Sequence, residues 1–302
     1  MKKMHVSWAN RLFYLFNSVL WIVVMVVILY PLYLVLISSI SSPAAVRSGK
    51  VVLWPVDLFW GGYESIFEYK ELWVAYANSI FYTISHVFIA LIVTMMAGYT
   101  MSRARFFGKK AINIYFVITM FFGGGLIPTF LTMRDIGLYN NRLILIIGGC
   151  VSTWNLMLAR TYMQSNIPEE LYEASILDGA SHFQYFLKVV MPLSKTIIAV
   201  LSVYYGIGKW NDYFTGLVYI RDRNKLPLQT ILREILATLQ VDMSGDFMLA
   251  MADNMEAFEE ALNIAYVSKY CIIVVSTVPV VILYLFVQKY FEKGVMIGSL
   301  KG

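Results

Sequence analysis

From Leu12 to Ile40 the chain carries no formal charge. A helix crossing a bilayer needs about 20 mainly apolar residues, and this run exceeds that. Five further runs follow: Val74–Ser102, Ala111–Met133, Leu143–Met163, Thr196–Ile220 and Ala265–Phe291. Interruptions are few: Arg160 near the end of the fourth, Lys209 and Asp212 inside the fifth, Lys269 near the start of the sixth. Of the 302 residues, 59% are hydrophobic and only 14% charged, against about a quarter charged in soluble domains. The chain therefore reads as an all-α polytopic membrane protein with six transmembrane helices. One transmembrane domain over residues 1–302 is expected, with its core over 74–292.

The basic start "MKKMHVSWANR" before an apolar run has the look of a secretion signal. The run is much longer than an apolar signal region of about 7–15 residues, so it is expected to stay as the first span. Lys2, Lys3 and Arg11, then Arg103, Arg105, Lys109 and Lys110, then Arg160, Lys188 and Lys195, then Lys289, Lys293 and Lys301 fall on one side of a six-span arrangement. The positive-inside rule makes that side, and both termini, cytoplasmic. The same rule accounts for the net charge of +5 without nucleic acid. Cys150 and Cys271 lie apart in apolar runs, so neither a disulfide framework nor a zinc site is expected. The scattered histidines suggest no metal, and His86 reads as a packed or hydrogen-bonded side chain.

Between the fourth and fifth runs lies "EELYEASILDGASHFQYFLKVVMPLSK", Glu169 to Lys195. Its signals are local. Pro168 suits a helix start, and Glu169, Glu170 and Glu173 suit the positive end of the helix dipole. Asp178-Gly179 suits a turn. Ser181 with Gln184 three residues on is a capping-box pattern, and Pro192 marks an end. A helix-turn-helix over 165–193 is expected on the cytoplasmic side. It either docks a partner through Leu171, Tyr172, Ala174 and Ser175, or packs on its own helix ends.

"EASILDGA" followed by "VVMP" resembles the EAA loop of permease subunits of binding-protein-dependent ATP-binding-cassette importers. Glu173, Ala174, Asp178, Gly179, Ala180 and Pro192 match that pattern. Ser175, Val189 and Met191 depart from it by small changes. "ANSIFYTISHVFIALIVTMMAGYTMSR" and the tail "VQKYFEKGVMIGSLKG" resemble the maltose-type carbohydrate permeases. "FFGGGLIPTFLTMRDIGLYNN" and "YYGIGKWNDYF" resemble the subgroup importing oligosaccharides and complex sugars.

The resemblance implies a cytoplasmic EAA coupling helix between spans four and five, in a bacterial cytoplasmic (inner) membrane. It implies a second permease subunit, in a heterodimer, two ATPase subunits and an external solute-binding protein. Glu173, Ala174, Ser175, Asp178, Gly179, Ala180 and Pro192 would couple to the ATPase. ATP and Mg would belong to those partners, since the chain has no phosphate-binding loop of the Gly-x-x-x-x-Gly-Lys-Ser/Thr kind; it is expected to be a non-catalytic subunit.

Polar groups within spans are functional candidates by default. Lys209 and Asp212, three apart, can pair on one helix face. Trp210, Asn211 and Tyr213 around them offer aromatic faces and an amide for a sugar, or merely sit near the outer interface. Trp154 and Asn155 either line a pathway or join helices. Asn78 and Ser79 read as a cap. Gly123-Gly124-Gly125 with Pro128 is either a midplane helix break or a tight packing point or kink. The outer stretch 221–264 begins with an amphipathic helix after Pro227 and continues into an acidic, Met-rich segment that is either a solvated loop or, as the resemblance implies, a contact for the binding protein. The rival readings are a same-type permease for peptides or phosphate, an ion-coupled secondary transporter using Asp212, and an intramembrane protease, for which a His-Glu-x-x-His pattern is absent.

Overall fold

The computed structural model describes residues 8–103, 108–242 and 255–299. In chain order the helices are α1 (Trp8–Ser39), α2 (Pro43–Arg47), α3 (Gly61–Glu68), α4 (Lys70–Ser102), α5 (Lys109–Phe121), α6 (Leu126–Asp135), α7 (Arg142–Ile147), α8 (Thr153–Asn166), α9 (Glu169–Leu177), α10 (His182–Tyr185), α11 (Met191–Leu193), α12 (Lys195–Trp210), α13 (Phe214–Tyr219), α14 (Leu228–Asp242) and α15 (Met255–Ser299). Extended pairing among the described residues is confined to an isolated bridge between Ser41 and Leu58. The chain forms two compact units. One is built from residues up to Tyr69 with Ile235–Thr277, the other from Lys70–Glu234 with residues from Val278 on.

By length and composition, three described helices can cross a membrane: Asn10–Ser39 within α1, α4, and Tyr266–Leu285 within α15. Two bent pairs raise this to five if each is one span: α5 with α6, at 114°, and His182–Leu193 with α12, at 80°. The protein is thus helical and membrane-embedded, but its apolar runs are not six unbroken rods. Leu143–Met163 is two helices, α7 and α8, separated where Gly149 takes φ +80°. Gly123 and Gly124 lie between α5 and α6, and a Cβ on either would meet nothing within 4 Å. They mark a helix break, not a tight packing point.

In the first unit, α1 carries outward-facing Leu, Ile, Val and Phe along much of its length. A helix can do so where lipid covers it, because all its backbone groups pair internally. Cys271 Sγ donates to the Ser39 carbonyl at 3.3 Å. A Cβ on Gly62 would lie 2.9 Å from that sulfur, so α3 and α15 meet where only a glycine fits.

The second unit is organised on α4. Its 33 residues span about 50 Å at the α-helical rise, more than the roughly 30 Å hydrocarbon core. Helices α8 and α12 pack along it through Ala90, Met95, Ala159, Met163, Ile197, Leu201 and Tyr205. A Cβ on Gly98 would stand 3.0 Å from Ala159 Cβ, the small-on-small approach typical of membrane helices. Across the same interface, the Thr94 and Tyr205 hydroxyls hydrogen-bond at 2.7 Å. Asn78 and Ser79 are not a cap. They lie within α4 and hold the stretch before α14: Asn78 donates to the Asn224 and Leu226 carbonyls at 2.8 and 3.1 Å, and Ser79 Oγ accepts the Leu228 amide at 2.7 Å. Helix α14 follows Pro227, with Leu228, Ile231 and Leu232 buried. Of the acidic, Met-rich segment, residues 243–254 lie outside the described residues, as do Lys2, Lys3, Arg105 and Lys301.

Candidate functional site

Two places in the second unit gather polar side chains. The first is a cavity of about 270 Å³ lined by His86, Gly148, Gly149, Ser152, Asn155, Tyr204, Tyr205, Gly208, Lys209 and Asp212. Its opening follows from the break between α7 and α8. The Gly148 amide closes α7 on the Ile144 carbonyl at 3.0 Å, and a Cβ on Gly148 would come within 2.4 Å of that oxygen. Gly149, at positive φ, then turns the chain away. Ser152 restarts the helix by accepting the Asn155 amide.

Against this break lie groups from α4 and α12. His86 is buried, with Nδ1 2.7 Å from the Ile146 carbonyl. A carbonyl only accepts, which assigns the proton to Nδ1 and leaves Nε2 as the acceptor of the neutral ring. Lys209 Nζ reaches Asp212 Oδ2 at 2.9 Å and the Gly148 carbonyl at 3.4 Å. The other Asp212 oxygen accepts the Thr215 amide at 3.0 Å, in the first turn of α13. The i,i+3 pairing therefore forms, and it closes the C-terminal end of α12. An amide, a hydroxyl, two tyrosines and a satisfied ion pair around a small cavity can hydrogen-bond a hydroxyl-rich solute and stack on its C–H faces.

The structure sorts the sequence candidates. Asn155, Lys209 and Asp212 come together in this cavity. Trp154 is 64% exposed and Asn211 is also exposed; neither lines it. Trp210 is buried against Tyr76, ring edge to face at 5.7 Å. It lines a separate apolar cavity of about 140 Å³ with Ile80, Ile84, Ile207 and Leu283 among others. Tyr213 lies under Arg233, 4.4 Å from the guanidinium carbon to its ring centre. Sequence reading did not single out Ser152, Tyr204, Tyr205 or the Gly148-Gly149 pair. The one available signal was two adjacent glycines inside an apolar run.

The second place is the segment around α9. That helix ends in a Schellman turn: Gly179, at φ +77°, donates its amide to the Ile176 carbonyl, and Ala180 donates to the Ser175 carbonyl at 2.9 Å. Ser181 and Gln184 then form a capping box, at 3.2 and 2.9 Å, that opens α10. The helix widens over Phe186–Val190 into a π-type turn and passes Pro192 in α11 before bending at Ser194. Pro192 thus lies one residue before the end of this helix at Leu193, where the sequence placed an end. Glu173, Ala174, Asp178 and Gly179 are exposed, as are Leu171 and Leu177. Ser175, Ala180 and Tyr172 are half-buried, so the outward face of α9 is Glu170, Leu171, Glu173, Ala174, Ile176 and Leu177, without Tyr172 or Ser175.

Comparisons with known proteins match nearly the whole chain. The sequence profile of the family described as "Binding-protein-dependent transport system inner membrane component" matches residues 1–297. The polygalacturonan/rhamnogalacturonan transport system permease of Bacillus subtilis (strain 168) is 32% identical over 293 residues, covering 97% of this chain and 99% of the relative. The arabinooligosaccharides transport system permease of Halalkalibacterium halodurans is 26% identical, covering 90% of each. Among solved structures, a chain of a bacterial ABC transporter involved in the import of the acidic polysaccharide alginate matches with a TM-score of 0.83 and 35% identity. That match covers 96% of this chain and 100% of the other.

Proposed function

We propose a role that starts from what the chain is: it belongs to the binding-protein-dependent transport system inner membrane component family. In this reading it is the permease subunit of an ATP-driven importer for oligosaccharides in a bacterial cytoplasmic membrane. It pairs with a second permease chain to form the pore, and both termini face the cytoplasm. Two partner ATPases supply the ATP chemistry with their Mg. A solute-binding protein delivers the sugar from outside, at the stretch 221–264.

The observation that carries the reading is α9. It is a short helix with an outward face of Glu170, Leu171, Glu173, Ala174, Ile176 and Leu177, closed by a positive-φ glycine and followed at once by a capped second helix. An exposed leucine at 88% accessibility on an otherwise ordered turn suits a surface that a partner covers. Segment 165–193 is then the ATPase-coupling element. The polar cavity at Asn155, Lys209 and Asp212 is a candidate stretch of the solute pathway. The relatives' names carry polygalacturonan/rhamnogalacturonan and the acidic polysaccharide alginate, so oligosaccharides of acidic sugars, uronates among them, are the first solutes to test. Asp212, the acid an ion-coupled carrier would need, is already held by Lys209 and the Thr215 amide, which favours the ATP-driven reading.

The test is co-purification of the tagged chain with its candidate partner subunits, repeated with Gly179→Asp and Glu173→Ala. The expected result is an ATPase subunit that accompanies the native chain and is lost or uncoupled in both variants. Native chain without an ATPase, or variants that associate and couple as the native chain does, would refute it.

A further inference from the structure

One buried charge lies outside both places described above. Arg103 follows α4 directly, and its side chain is 15% exposed. One of its terminal nitrogens, Nη2, pairs with Glu169 Oε2, in the first turn of α9. Around the guanidinium stand three tyrosine rings: Tyr172 of α9 at 4.7 Å, Tyr99 of α4 at 5.5 Å and Tyr185 of α10 at 5.7 Å from ring centre to guanidinium carbon. The rings also touch one another, Tyr172 edge-on to Tyr185 at 5.3 Å and Tyr99 beside Tyr185 at 6.2 Å.

The rest of the cluster is not saturated with hydrogen bonds. Arg103 Nε and Nη1, Tyr99 OH and Tyr185 OH are buried without a hydrogen-bond partner among the described residues. A saturated hydrogen-bond network fixes one orientation, because each bond weakens steeply as it is bent. A cation over ring faces is held by a broad electrostatic attraction, which tolerates rotation of one ring against another. Apart from the Arg103–Glu169 pair and the Tyr172–His182 bond that ties α9 to α10 at 3.2 Å, α4 therefore meets these helices through ring faces around a cation, a contact that leaves room for rotation. The last turn of α4 is itself fastened: Lys109 Nζ donates to the Ser102 and Arg103 carbonyls at 3.3 and 3.1 Å, and Gln164 donates to the Ser102 carbonyl at 3.3 Å. From Arg103, α4 runs about 25 Å at the α-helical rise to His86, which lines the polar cavity.

We propose that Arg103 is the joint through which movement of α9 reaches α4 and the cavity beyond it, a positioning residue for coupling and not a docking residue. The inference rests on the reading of segment 165–193 as the ATPase-coupling element. It goes further by naming the group inside this chain that carries the motion onward. The aromatic cage calls for a planar guanidinium, which an ammonium does not replace.

The test uses the whole importer, permease pair with ATPases, in proteoliposomes with binding protein and labelled oligosaccharide. ATPase retention, ATP hydrolysis and uptake are measured on the same preparation for native protein, Arg103→Gln, Arg103→Lys and Glu169→Gln. The joint predicts that both Arg103 variants keep their ATPase subunits and hydrolyse ATP, while solute moved per ATP falls roughly fivefold or more, the usual lower size of a coupling between sites. Glu169→Gln, which leaves the cage intact, shows a smaller fall in the same ratio. If Arg103→Lys folds and its uptake per ATP equals the native value, the joint is refuted. It is equally refuted if uptake and hydrolysis fall in proportion in both Arg103 variants, because Arg103 then serves only the fold. If the native complex itself shows no ATP-dependent uptake, the coupling reading fails and takes the joint with it, a result visible before any variant is compared.

Discussion

Replacing Lys209 by Met tests how the polar cavity is held together. The Lys209 and Asp212 side chains are 7% and 19% exposed and 2.9 Å apart. Removing one partner of a buried pair costs about 3–5 kcal/mol, because the remaining charge stays desolvated and uncompensated. Asp212 keeps the Thr215 amide at 3.0 Å, and a hydrogen bond to a charged group offsets about 1.5 kcal/mol or more. Lys209→Met should therefore destabilise by about 3 kcal/mol, near the low end. The double change Lys209→Met with Asp212→Leu removes the stranded charge. It loses mainly the bond that opens α13, about 1 kcal/mol for a lost cap. The double variant should thus be more stable than Lys209→Met alone by about 2 kcal/mol, a departure from additivity that a double-mutant cycle detects. Unfolding of the purified chain in mixed micelles, followed by denaturant titration of all four members of the cycle, measures it. A Lys209→Met variant as stable as the native chain, or a double variant at the sum of the singles, would refute the claim that the pair is buried and coupled.

Three further outcomes follow from local geometry. Gly98→Val should force α4 from α8, since even a Cβ would stand 3.0 Å from Ala159, and should cost about 1–3 kcal/mol as overpacking, read in the same titration. Gly179→Ala should cost about 1 kcal/mol through its φ of +77° alone, as nothing lies within 4 Å of its Cβ; faster amide exchange at Ala180 would report the loosened turn. Asp222 holds the Asn224 amide and pairs with Lys225, which keep its carboxyl below the usual carboxylate range. With its folded pKa depressed, its contribution is fully present above the ordinary value of about 3.9 and is lost as pH falls through the folded pKa. Proteolysis of the loop before α14 should rise in that acid window, and Asp222→Asn should abolish the step.

What could be read from the sequence was what is encoded locally. The run Leu12–Ile40 and the run Val74–Ser102 announce α1 and α4 by length and apolarity. Asp178-Gly179 and Ser181 with Gln184 announce the turn and cap between α9 and α10, because the residues that make those hydrogen bonds are three or four apart. The break after Phe121 was one of two readings that Gly123-Gly124-Gly125 allowed, while the break after Ile147 was hidden, since apolar composition continues across it and only Gly148 and Gly149 change the backbone. His86 and Tyr205 find their partners 60 and 111 positions away, so no spacing could pair them. Trp210 looked like a sugar platform beside Asn211, but its face is chosen by Tyr76 on another helix. Arg103 counted only as a loop charge until α9 folded back beside it.

In the proposed role, this chain is half of a pore driven by ATP through partner ATPases. The most direct measurement is uptake of a labelled uronate-containing oligosaccharide into proteoliposomes that hold the assembled complex, with the binding protein outside and ATP with Mg inside. The account predicts uptake that needs ATP and binding protein, persists when ion gradients are collapsed, and disappears with Gly179→Asp. Uptake that proceeds without ATP and stops when a proton or sodium gradient is dissipated would contradict it.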